Sequence, residues 1–67
     1  MSSLKRPPTP REREVVKLLA EGKTQRQIAL HLGTTHKTIY SMLGQVRKKT
    51  NSVTDRMLIL KFQAGEL

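Results

Sequence analysis

Threonine and glycine recur along this chain in an order that leaves few folds open. Thr9, Thr24, Thr35 and Thr54 each precede a stretch of apolar residues at helical spacing, and Gly22, Gly33 and Gly65 follow three of those stretches. A threonine before a helix accepts an N–H from the first turn, and a glycine after one takes the left-handed conformation that stops it. Glu12 and Gln27 stand three residues beyond Thr9 and Thr24 and complete two capping boxes, while Pro10 suits a first helical position. The pattern predicts an all-α domain of four helices, at about residues 10–20, 25–32, 36–49 and 55–64. The helical domain then covers residues 9–65, and "MSSLKRPP" before it reads as a disordered basic arm, residues 1–8.

Each helix carries one apolar face. Val15, Leu18 and Leu19 share a side of the first, with Val16 on its flank; Ile28, Ala29 and Leu32 mark the second. Only "TT" separates Gly33 from the third helix, and two helices joined by so short a glycine-containing turn form a helix-turn-helix. At 100° per residue, Leu43 and Val46 fall within about 40° of Ile39 and Met42 about 60° away, which gives the third helix its inward stripe. Lys37, Ser41, Gly44 and Lys48 lie about 140–200° round, with Gln45 and Tyr40 flanking them. Gly44 therefore faces outward in mid-helix, where it costs about 1 kcal/mol relative to alanine. Its missing side chain reads as clearance for a bulky ligand against the helix backbone. In the fourth helix "MLILKF" is apolar nearly all round: Val53 is placed to staple onto Leu58, whereas Leu60 points the opposite way and calls for a second partner.

Charge narrows the ligand. Thirteen Lys and Arg against five acids give a net charge of +8 in 67 residues, and no acid falls between Gly22 and Thr54. A basic field of this kind, concentrated in mid-chain, suits the phosphates of a nucleic acid. The absence of cysteine excludes disulfides and thiolate metal sites, and no run of apolar residues could span a bilayer. His31 and His36 flank the turn without carboxylates nearby. No metal, no cofactor and no enzymatic activity are expected, and the expected setting is the cytoplasm. Tyr40 and Phe62 are the only aromatic residues, so the core must be aliphatic and thin, and a second copy is a common remedy for that.

The segment "TPREREVVKLLAEGKTQRQIALHLGTTHKTIY" resembles the LuxR/FixJ/GerE-type DNA-binding domain. The likeness extends over about residues 8–65, and the closing "AGEL" is similar to the end of a stand-alone member. The resemblance implies a tetrahelical helix-turn-helix whose third helix enters the major groove and whose fourth forms a dimer contact. By position, Tyr40, Ser41 and Gly44 match base-reading sites, and Lys37 and Thr38 match early third-helix sites that touch phosphate or base edges. Lys23, Thr24 and Gln25 match the phosphate-binding start of the second helix. Combined with the angular reading, the expected base-facing set is Lys37, Tyr40, Ser41, Gly44 and Gln45. The expected phosphate set is Lys23, Thr24, Gln25, Thr35, Thr38, Arg47, Lys48 and Lys49, and Met57 and Leu60 are the expected dimer seam. This chain departs from the family pattern at Gln27, Met42 and Thr50, and at Tyr40 and Gly44, where basic residues are frequent.

Three readings follow. The first is a sequence-specific transcriptional regulator that binds double-stranded DNA as a homodimer. The second is a module related to sigma factor region 4, which "SMLGQVRKKT" resembles. The third is an anti-activator that sequesters a larger transcription factor through the apolar fourth helix. The acid-free window counts against the third as a sole activity, because helix-to-helix docking does not need it.

Overall fold

The computed structural model describes residues 7–67; most of the arm expected at residues 1–8 lies outside the described residues. Four helices follow one another: α1 (Pro10–Ala20), α2 (Gln25–Leu32), α3 (His36–Lys49) and α4 (Asp55–Gln63). None of them is long and apolar enough to cross a membrane. Each starts as the threonines predict. Thr9 Oγ1 accepts from the Glu12 N–H at 3.1 Å while Glu12 Oε1 accepts from the Thr9 N–H at 2.9 Å. Thr24 and Gln27 repeat that exchange at 3.1 and 2.8 Å. Thr35 and Thr54 cap α3 and α4 through the N–H groups of Thr38 and Met57.

The helices also end alike. A left-handed residue follows each, and the next N–H returns to the carbonyl five positions back: Lys23 to Leu18, Thr34 to Ala29, Ser52 to Arg47 and Glu66 to Lys61, at 2.8–3.2 Å. Gly22, Gly33 and Gly65 hold three of these positions, and Asn51, with φ 56°, holds the fourth. Asparagine tolerates this region because its short polar side chain can bond locally. The α3 stop is secured further by Lys61, whose ammonium donates to the Thr50 carbonyl. Thr50 donates its hydroxyl to the Val46 carbonyl at 2.8 Å and meets the Ser52 hydroxyl at the same distance. The last helix ends one residue earlier than expected, with Ala64 as its cap.

Packing follows the apolar faces. Helix α1 touches all three others, α2 and α4 each lie against α3, and α2 and α4 do not meet. Val15, Val16, Ile28, Ile39, Leu43, Val46 and Leu58 are fully buried. Each such side chain contributes about 1.5–3 kcal/mol relative to exposure. Val16 is in the core rather than on its flank, because a helix with three neighbours needs a wide apolar face. The predicted Val53–Leu58 staple is not formed. Leu58 is driven into the core while Val53 stays 80 % exposed, its N–H directed to the Met57 sulfur.

One ion pair ties the start of the fold to the end of α3. Glu12 is buried, and its Oε1 receives the Lys49 ammonium at 2.8 Å. Burial alone would raise the Glu12 pKa, but the Lys49 hydrogen bond and charge, together with the bonds from Thr9, outweigh it and hold the value below 4.5. A depressed carboxyl pKa stabilises the fold fully above its unfolded value and progressively less as pH falls through the folded one. Stability should therefore decline below about pH 4.5. Glu12→Gln, which can still close the capping box, should flatten that decline and cost about 1 kcal/mol at neutral pH. Denaturant melts of the two proteins between pH 3 and 7 measure both effects, and parallel curves would remove Glu12 as the cause.

Candidate nucleic-acid interface

Helix α3 divides as its periodicity predicts. Ile39, Leu43 and Val46 have no exposed surface, and Met42 packs at the core edge. The opposite side presents Lys37, Thr38, Tyr40, Ser41, Gln45 and Lys48 to solvent, with Tyr40 62 % exposed. Gly44 lies among them. A Cβ built on it would meet only the Arg47 guanidinium, at 3.8 Å, so the space above this backbone turn is open. Amide, hydroxyl and ammonium groups thus share a surface that carries no carboxylate.

The starts of α2 and α3 are held together. His36 Nε2 lies 3.0 Å from Gln25 Oε1, a hydrogen bond that links the two helix N-termini. Thr35 Oγ1, besides capping α3, lies 2.9 Å from Thr38 Oγ1. Lys23 is half-buried and Thr24 exposed at the entry to α2. Two N-termini on one side of the molecule, with partial positive charge and unpaired N–H groups, favour an anion there. Arg11 braces the motif from behind by donating to the Leu32 carbonyl at 3.3 Å.

The basic run at the end of α3 is divided. Arg47 pairs with Asp55 and Lys49 with Glu12, so of these three cations Lys48 alone is fully exposed. Arg47 and Lys49, expected with Lys48 at a phosphate backbone, thus each also hold a carboxylate of the fold. Neither pair was visible locally, since Glu12 lies 37 residues from Lys49.

Two apolar features lie away from this face. Met57 is 36 % and Leu60 54 % exposed on α4, and Val53 and Ala64 are exposed as well. Met57, Leu60 and Ala64 follow one another at i, i+3 and i+7 along one side of α4 and its cap, and Val53 lies in the loop just before the helix. Leu30, on the outer side of α2, is 83 % exposed beside a shallow groove bordered by Arg26, Thr34 and His36. The sequence assigns Val53 to a staple and gives Ala64 and Leu30 no surface role. Leu30 was legible, because it lies about 200° round α2 from Ile28.

A short glycine turn between α2 and α3, an exposed acid-free α3 face and two clustered helix N-termini define a helix-turn-helix DNA-binding domain. The family model described as bacterial regulatory proteins, luxR family, matches residues 7–61, and the chain belongs to that family. Its domains are DNA-binding regulators, not catalysts. No curated protein and no solved structure matches the chain.

Proposed function

We propose that this protein is a sequence-specific transcriptional regulator that binds DNA as a homodimer in the cytoplasm. Helix α3 lies in the major groove, with Lys37, Tyr40, Ser41, Gly44 and Gln45 toward the bases. Lys23, Thr24, Gln25, Thr35, Thr38 and Lys48 hold the phosphates on either side, and Arg47 and Lys49 add charge from within their ion pairs. The observation that carries this reading is the division of α3, whose exposed half bears only groups that bond phosphates and base edges. The exposed apolar side of α4, Met57 and Leu60 with Ala64 at its cap, supports a two-fold contact, since one surface can serve both copies of a symmetric dimer.

Salt dependence tests the interface. If each monomer neutralises two or three phosphates, log K against log salt for duplex DNA should have a dimer slope of about −3.6 to −5.4. Lys48→Ala should reduce that slope by about 2 in a dimer and weaken all duplexes alike. A flat salt response would instead favour a protein partner bound through α4. Footprinting should show two protected half-sites about 34 Å apart, and a single protected stretch would point to a monomer.

A further inference from the structure

We propose that Tyr40 and Gly44 together read the 5-methyl group of a thymine, which makes each half-site depend on one particular T. The inference rests on the DNA-binding reading above and adds to it the chemistry of one base.

Tyr40 and Gly44 are one helical turn apart and so are neighbours on the surface of α3. Tyr40 is the one aromatic side chain on the exposed face, and it bears no hydrogen bond to another described residue. Side chains on a helix lean toward its N-terminus, so the missing side chain at Gly44 bares the turn between the two residues. The bared surface is Cα–H and peptide, and Tyr40, 62 % exposed, sits one turn toward the N-terminus. The Arg47 guanidinium lies 3.8 Å from the empty Cβ position, held there by Asp55. Lys48, one turn beyond Gly44, is exposed at the other end.

A bare backbone turn with no free side-chain donor of its own, an exposed aromatic residue one turn away and cations at its border suits a small apolar projection on an otherwise anionic ligand. The major groove of ordinary DNA offers one such group, the thymine methyl. Lysine or arginine at position 44 would instead seek the acceptors of guanine, and the bare glycine forgoes that bond. Ser41 and Gln45, on the far flank, can bond the adjacent base edges and fix the register.

The test uses the full chain and a duplex that it enriches from a random pool. Every thymine in the footprint is replaced in turn by deoxyuridine, which removes the methyl and leaves all hydrogen-bonding groups. At one position per half-site the affinity should fall about fourfold, and about sixteenfold when both half-sites are changed, from burial of one methyl each. Tyr40→Phe should keep this discrimination, because the ring and not the hydroxyl supplies the contact. Tyr40→Ala should lose it while retaining salt-dependent binding. If every deoxyuridine duplex binds as tightly as its parent, or Tyr40→Phe abolishes the effect, the methyl-reading assignment is overturned while DNA recognition stands. If no duplex is enriched at all, both fall.

Discussion

Gly44→Ala should produce a more stable protein that binds its operator less well. A helix interior favours alanine over glycine by about 1 kcal/mol, and the new methyl would meet only the far end of Arg47 at an ordinary contact distance. For a domain of this size that gain should raise the melting temperature by about 4–8 °C. On DNA the same methyl would fill space needed by a base. Forcing one methyl group into a closely packed contact costs about 1–3 kcal/mol, so each half-site should lose about tenfold or more in affinity. Calorimetry and a binding titration on one preparation measure the two opposite changes. Higher stability with unchanged affinity would mean that Gly44 clears no space for DNA.

Leu60→Glu should abolish self-association and, through it, most of the operator affinity. Leu60 is 54 % exposed and lies outside the core cluster, so the substitution should leave helix content and the melting transition nearly intact. In a two-fold seam it would bring two carboxylates onto an apolar contact and bury them without partners. A monomer holding one half-site loses the effective concentration that the second provides, on the order of a hundredfold or more in affinity. Sedimentation and a titration against the full operator read both effects. Dimers that persist at normal strength would exclude α4 as the seam. Loss of dimers with full DNA affinity would show that the two activities are separate.

The helix limits were legible because each start is a threonine whose cap needs only local chemistry, and three stops are glycines. The stop at Asn51 was hidden, since asparagine takes the left-handed region less often and nothing nearby marked it. The division of α3 was legible for a similar reason: periodicity decides which side is buried once any partner helix is present. The ion pairs of Arg47 and Lys49 were hidden because a run of cations looks uniformly free in sequence. Their partners, Asp55 and Glu12, sit on other helices and come into reach only when α1, α3 and α4 pack. Val53 followed the staple pattern, yet Leu58 serves the core and leaves no apolar neighbour for it. The family pattern places Tyr40 and Gly44 at base-reading sites, but because this chain departs from its usual residues there, the bases they favour do not follow from it.

Helices α2 and α4 share no contact, and each is joined to the other only through α1 and α3. Changes on the outer surface of either one therefore have no direct route to the other. In a lineage that kept this scaffold, the phosphate grip at the start of α2 and the distance between operator halves could drift by separate mutations. The letters of the operator have no such freedom, because α3, which faces the bases, packs directly on α4.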